Sequence, residues 1–311
     1  MKWELYRWVW RLRSPLHLGT APAGSLNRTR LYVPAYTLRG ALINALAGKL
    51  GVGPSAYQKA TQALDSRFRL TYLFPAEREG DKWFAWLPRY KEGQGLVWQR
   101  EGREDSIPDR RFRMKLLSTR TSTAIDPGSD TASDGTLREV EVIHPWFAGE
   151  EPREVFLVGY VLYLPDSSKG SASPGGLEAQ ANREATPVEE EAKKYLLEEK
   201  GLEVFVGGEL RYGLGRIELV HRSQEAKASL WDVQVDPNQN DPVVDRPGLL
   251  LAHGFAGGDQ GEFKGSRECV AVWDNAPGRG GLKSRGLAWT PGTIPPELRW
   301  RIREDGFWEP A

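Results

Sequence analysis

The chain has 311 residues, 40% hydrophobic and 10% aromatic, which is enough for a sizeable core and, at roughly 150 residues per domain, for two domains or one elaborated one. No apolar run reaches the roughly 18–20 residues of a membrane span. The first residues lack a signal-peptide apolar block, and the single cysteine, Cys269, excludes a disulfide framework and a Cys-based zinc site, so a reducing cytoplasm is expected. Lys+Arg and Asp+Glu both total 42, giving zero net charge, which argues against a free-standing nucleic-acid binder. The charge is nevertheless polarised. Arginines crowd Arg7–Arg39 and Arg100–Arg120, and acid crowds Glu184–Glu203. One face could meet a polyanion, or the same residues could be an ordinary solvated surface.

In chain order, Trp3–Leu18 reads as a long strand, because Tyr6, Trp8, Trp10 and Leu12 alternate with Arg7, Val9, Arg11 and Arg13. After a polar loop from Gly19 to Arg30, a helix is expected over Thr37–Leu50, with Leu38, Leu42, Leu46 and Leu50 on one face and Gly51 ending it. A second helix is expected over Ser55–Leu64. Strands follow at Phe68–Phe74 and Trp83–Leu87, and Val155–Leu164, apolar on both faces, reads as a central covered strand. Asp166–Ala185, rich in Ser, Gly, Ala and Pro, reads as a flexible surface insertion dispensable for binding. Thr186, Pro187 and Glu189 form a capping box and first turn, with Gly201 closing that helix. Leu202–Val206 is then a strand, and beyond Asp232 short strands are expected near Leu249–Ala252, Cys269–Trp273 and Leu298–Ile302.

The most specific segment is Gly207-Gly208-Glu209-Leu210-Arg211-Tyr212-Gly213-Leu214-Gly215-Arg216. Four glycines after a strand permit positive φ and close approach to another chain. Backbone N–H groups there could cradle phosphates, Arg211 and Arg216 could add charged contacts, and Tyr212 could stack on a base. A dinucleotide-binding reading fails, since the spacing is wrong and Arg216–Leu219 continues as a strand. A ligand-free glycine hairpin accounts for the loop equally well taken alone.

Ser14-Pro15-Leu16-His17-Leu18-Gly19, followed by Val33-Pro34-Ala35-Tyr36-Thr37-Leu38-Arg39-Gly40, resembles the RAMP superfamily pattern of a first strand and a turn into the first helix. Ala35 and Tyr36 stand where the family usually has a small Gly-Ser pair. Leu70–Pro75 with Trp86–Pro88 resembles the subunit that caps the 5′ tag of guide RNA in type III CRISPR effectors. Thr119–Leu137 resembles the family's thumb, a protruding β-hairpin that wedges into the guide–target duplex. The matches span about Trp3–Leu219.

The resemblance implies an α+β, ferredoxin-like (RRM-like) core over residues 1–221, carrying the thumb-like segment (about 119–137) and the insertion (166–185), then a smaller strand-rich part over 222–311. It implies a guide-RNA-binding subunit of the ribonucleoprotein, with other RAMP subunits, the large subunit and, through the thumb, target RNA as partners, and no cofactor. The expected RNA contacts are His17, Thr37, Arg39, Arg120, Gly207, Gly208, Arg211, Tyr212, Gly213, Gly215 and Arg216. Thr37 and Arg39 enter because a helix N-terminus favours phosphate; a plain cap and a solvated arginine would account for them equally.

Some backbone subunits of the superfamily slice target RNA with an aspartate after the first strand, but Thr20–Arg30 holds no Asp or Glu, so no nuclease is expected. Asp126, Asp130 and Asp134 suit a turn better than a metal. A metal-independent endoribonuclease would need a histidine; His17, His144, His221 and His253 are scattered, and only His17 lies beside the expected RNA face. A backbone subunit along the guide RNA, or a scaffold that mainly contacts protein, would also fit the pattern. Most of the twelve tryptophans are expected in the core or at subunit interfaces. Trp289, Trp300 and Trp308, among Arg299, Arg301 and Arg303, could meet RNA or a neighbouring subunit.

Overall fold

A computed structural model describes residues 2–20, 24–166, 185–256, 260–274 and 281–311. In chain order, β1 is Glu4–Leu12, α1 Ala35–Leu50, α2 Pro54–Arg67, β2 Phe68–Leu70, β3 Phe74–Glu79, β4 Lys82–Lys91, β5 Gly95–Arg100 and β6 Ser106–Pro108. Then come α3 Asp109–Leu116, β7 Leu117–Ser122, β8 Arg138–Ile143, β9 Phe156–Tyr163, α4 Pro187–Lys193, β10 Glu203–Phe205 and β11 Arg216–Glu225. The fold is mixed α/β and strand-rich, with four α-helices among the described residues. None of these helices is long and apolar enough to cross a membrane.

One nine-stranded sheet runs in the order β10-β11-β1-β9-β3-β4-β5-β6, with β2 also paired to β9. Both neighbours of β1 are antiparallel to it. All eight residues of β9 are buried, as two apolar faces demand. β1 stops at Leu12, short of Leu18, because Ser14-Pro15 breaks the ladder; proline has no N–H to give. Phe68–Phe74 is likewise two strands. At the break Thr71 exchanges hydrogen bonds with Tyr160, 3.0 and 2.8 Å, and Leu73 turns to pair with Val33. Gly159 admits this kink, since a Cβ there would lie 2.6 Å from the Tyr72 carbonyl oxygen.

Leu38, Leu42, Ile43 and Leu46 form the buried face of α1, and the Gly51 N–H closes it on the Ala47 carbonyl at 3.1 Å. α1 packs on α2, and α2 on α4. The capping box of α4 is formed: Thr186 Oγ1 accepts from the Glu189 N–H at 3.3 Å, and Glu189 Oε2 accepts from the Thr186 N–H at 2.7 Å. The helix continues as a wider turn over Lys194–Glu198, so Gly201 lies beyond its end. Of the expected insertion, residues 167–184 lie outside the described residues.

After β11 the chain adds Val233–Asp236, Val243–Val244, Trp300–Ile302 and Trp308–Pro310 to a second small sheet, and the two-stranded ribbon β12 (Arg267–Asp274) and β13 (Gly281–Trp289). Leu249–Ala252 is buried but is not a strand. Trp300 and Trp308 share one continuous core with Trp8, Trp10 and α1. The C-terminal Trp–Arg mix is divided by the fold, with Trp289 and Arg301 left partly exposed. Trp300 and Trp308 are buried, while Arg299 and Arg303 are held by Asp236 and Asp241.

A buried polar chain ties this C-terminal part to the sheet. Tyr72 OH donates to His253 Nδ1 at 2.6 Å, His253 Nε2 lies 2.5 Å from Glu268, and Arg30 grips both Glu268 oxygens at 3.1 Å. Burial raises the Glu268 carboxyl, but His253 and Arg30 outweigh it and bring its pKa down to about 2. Burial lowers the His253 pKa, so its neutral form is favoured.

Candidate nucleic-acid interface

The segment expected as a thumb is a β-hairpin. β7 and β8 pair antiparallel from Leu117↔Ile143 to Ser122↔Arg138, and Leu26–Asn27 joins β8 in parallel on its other edge. Ile125–Asp126 and Thr131–Ala132 close the tip, which is exposed. Asp126 accepts from the Gly128 N–H at 2.9 Å and from Ser129 Oγ at 3.0 Å, and these bonds lower its pKa. That is turn chemistry. Among the described residues no three His, Cys, Asp or Glu side chains form a metal-holding group.

The glycine-rich loop connects β10 to β11 and is stitched to the segment Ser14–His17 that follows β1. The Gly208 N–H bonds the His17 carbonyl at 2.9 Å, the Gly215 N–H the Pro15 carbonyl at 2.8 Å, and the Arg216 N–H Ser14 Oγ at 2.9 Å. Two glycines are required by this closeness. A Cβ on Gly207 (φ +85°) would sit 2.2 Å from the His17 oxygen, and one on Gly215 (φ +81°) 2.1 Å from the Val206 oxygen. Gly213 (φ +79°) faces open space instead.

The N–H groups of Tyr212 and Gly213 are also used, on Glu209 and Leu210 at 2.9 Å each. Of the loop's backbone N–H groups, those of Tyr212 and Gly213 therefore bond within the loop, and those of Gly208, Gly215 and Arg216 are taken by Ser14–His17. Outward contact falls to the tip. Leu210 and Tyr212 are 42% and 60% exposed, and the Arg211 guanidinium lies 5.1 Å from the Tyr212 ring centre. Arg211 has no anionic partner among the described residues. Arg216, also exposed, is held by both oxygens of Glu203 at 2.8 Å.

The loop also packs on the hairpin root. Leu214 is buried with Val140 and Val142, and Arg138 ion-pairs with Glu209. Arg120 is paired in register with Val140, so it lies on the sheet face that Leu214 covers, and it is exposed without a partner among the described residues. His17 is buried under this junction, with Nδ1 2.8 Å from the Glu141 carbonyl. A nitrogen facing a carbonyl must carry the proton, so His17 positions β8 against the loop.

The structure thus brings together His17, Arg120, Gly207, Gly208, Arg211, Tyr212, Gly213, Gly215 and Arg216. Thr37 and Arg39 stand apart on α1. Arg39 forms a two-pronged pair with Asp65 at 2.6 and 2.7 Å. The helix N-terminus is covered by the C-terminal segment: Gly306 sits so close that a Cβ would be 2.1 Å from that of Ala35, and Phe307 packs on Tyr36 with ring centres 5.2 Å apart. The other histidines are dispersed. His144 accepts from the Trp146 N–H, His221 stacks on Trp83, and His253 belongs to the buried chain.

The N-terminal arginines are engaged as well. Arg7, Arg11 and Arg13 are paired with Glu101, Glu154 and Glu218, which removes them as a polyanion face. Sequence reasoning missed Glu141, whose carbonyl holds His17 and whose carboxylate accepts the Thr29 N–H at 2.9 Å. The signal was the alternation of Glu139 and Glu141 with Val140 and Val142.

No family model and no curated protein matches the chain. Among solved structures, it is similar at 12% identity and TM-score 0.49 to a chain of the type III-B Cmr-β complex bound to cognate target RNA and AMPPnP, covering 93% of this chain and 85% of that one. Two further chains, from Cmr-β with cognate target RNA and from apo Cmr-β, are similar at 12% identity and TM-score 0.39, covering 69% and 71% of this chain and 96% and 97% of theirs. A likeness this distant assigns no function.

Proposed function

We propose that the chain is a guide-RNA-binding RAMP subunit of a type III CRISPR effector, built on a ferredoxin-like core, acting in the cytoplasm without cleaving RNA. The observation that carries this reading is the junction of the glycine-rich loop with the thumb root, presenting Arg211, Tyr212 and Arg120 outward over a scaffold pinned by His17. The sheet order β11-β1-β9-β3, with α1 and α2 before β3 and α4 before β11, supports the ferredoxin-like plan. The motif order along the sequence favours the capping role at the 5′ tag, docked to the large subunit. The acid-free loop Thr20–Arg30 supports a binding role over slicing.

The test is single-stranded RNA affinity against salt, using guide-like and unrelated sequences. Arg211→Ala weakens both equally and lowers the log–log slope by roughly 0.7, as losing one phosphate contact does. Arg216→Ala has the smaller effect, because Glu203 already holds that guanidinium. No cleavage accompanies binding. Cleavage in EDTA would make the chain a processing endonuclease, and unchanged affinity and slope in both variants would remove the loop from the RNA site.

A further inference from the structure

Helix α3 was not anticipated from the sequence, and it carries cations that the fold leaves without counter-charge. It buries Phe112 and Leu116 against the β5–β6 side of the sheet, where Phe112 stacks on Trp98 with ring centres 4.7 Å apart. Asp109, the acid of its first turn, is taken by Arg113 at 2.7 Å and by the Trp98 indole at 2.8 Å. The opposite face holds Arg110, Arg111, Met114 and Lys115, all exposed, Met114 at 72%. None of the three cations has a partner among the described residues.

Many arginines elsewhere in the chain meet a carboxylate, Arg7, Arg30, Arg39, Arg69 and Arg100 among them. In a protein with as many acids as bases, cations left bare together on one helix face are a local positive field. An exposed aromatic residue lies on the segment bonded to the C-terminal end of α3. The Ala148 N–H bonds the Lys115 carbonyl at 2.7 Å and the His144 N–H the Leu116 carbonyl at 2.8 Å, and between these lies Trp146, 44% exposed.

We propose that this face of α3, with Trp146, is a second binding site for single-stranded RNA, gripping phosphates through Arg110, Arg111 and Lys115. The proposal rests on the RNA-binding reading above and extends it along the molecule. Arg110 and Arg111 sit one turn from Met114 and Lys115, about 5–6 Å. α3 runs directly into β7, so Lys115 is at most ~17 Å from Arg120. A strand leaving the thumb root at Arg120 therefore meets the α3 cations within a few nucleotides. Bare cations with an exposed indole hold any sequence, because phosphates and base faces are common to all.

The experiment uses the full chain and unrelated single-stranded RNAs of two lengths, short enough to cover only the loop site or long enough to reach α3. The triple substitution Arg110→Ala/Arg111→Ala/Lys115→Ala is compared with Arg211→Ala. For the long RNA the triple variant should lower the log–log salt slope by about 2 and weaken binding on the order of 100-fold near 0.1 M salt. The short RNA should bind it as it binds the unsubstituted chain. The replaced side chains are exposed, and an unchanged melting curve establishes folding. If long-RNA affinity and slope are unchanged in the triple variant while Arg211→Ala reduces them, the α3 site is overturned and the functional reading stands. If the unsubstituted chain binds neither RNA, both fall.

Discussion

The N-terminus of α1 and the tip of the glycine-rich loop carry the same kind of sequence promise, a basic residue beside backbone that favours phosphate. The fold treats them in opposite ways. At α1, Asp65 takes the arginine, and Gly306 with Phe307 lies over the opening turn. At the loop, the N–H groups of Gly208, Tyr212, Gly213, Gly215 and Arg216 are taken by neighbouring backbone and Ser14, but Arg211 and Tyr212 are left facing out. A cation is available to a ligand only where no carboxylate of the same chain has been folded against it, and that depends on long-range packing rather than on the local motif.

The sharpest way to break this comparison is at the lid over α1. Gly306 has φ +78° and no room for a Cβ, so Gly306→Val should cost about 3 kcal/mol or more through overpacking and backbone strain. Gly213→Val, at φ +79° in open space, should cost only about 1–2 kcal/mol yet harm RNA binding more than either arginine substitution. Equal melting temperatures for the two would erase the distinction between a sealed and an open site.

The next effect is acid sensitivity of the buried chain that anchors the lid-bearing C-terminal part. His253 has its folded pKa below the ordinary value and Glu268 has its own near 2. For both, the unfolded chain binds protons more readily, so stability is full above about pH 6.5 and falls as pH drops. The Glu268 contribution, a few kcal/mol at most, is lost between about pH 4.5 and 2. Glu268→Gln should lower stability at neutral pH and flatten the decline below about pH 4.5. A melting temperature independent of pH from 7 to 3 would refute the assignment.

Smaller effects sharpen the contrast. Tyr212→Ala should weaken RNA binding by about 1–3 kcal/mol with little change in stability, as loss of a stacking ring does. Arg39→Ala should do the reverse, lowering stability by about 1 kcal/mol through loss of its Asp65 pair while leaving RNA affinity unchanged. Paired titrations and thermal melts of these two variants read both quantities.

What was legible in the sequence was local. The apolar run of β9, the leucine face of α1, the Thr186–Glu189 capping box and the turn role of Asp126 each depend on neighbours within a few positions. The loop's tie to His17 was legible only as proximity of two motifs in a resemblance, because the bond joins Gly208 to a residue near the other end of the chain. The carboxylates that claim Arg7, Arg13 and Arg39 lie 94, 205 and 26 positions away, so no local pattern announces them. α3 could have been read from Phe112 and Leu116 four apart behind Asp109; the density of arginine around them hid a short amphipathic helix.

The pairing of β1 has a consequence for how the chain is made. Trp8 and Trp10 are placed by β9 on one side and β11 on the other, through Trp8↔Gly159 and Trp8↔Arg222. During vectorial synthesis β1 emerges well before either partner, and at roughly 5–20 residues per second it waits on the order of ten seconds or more for the second. Until β9 emerges both its edges are open, and the edge facing β11 stays open until that strand follows. Folding dominated by such distant pairing is slow, and the waiting strand is the segment that a nascent-chain chaperone should hold most tightly.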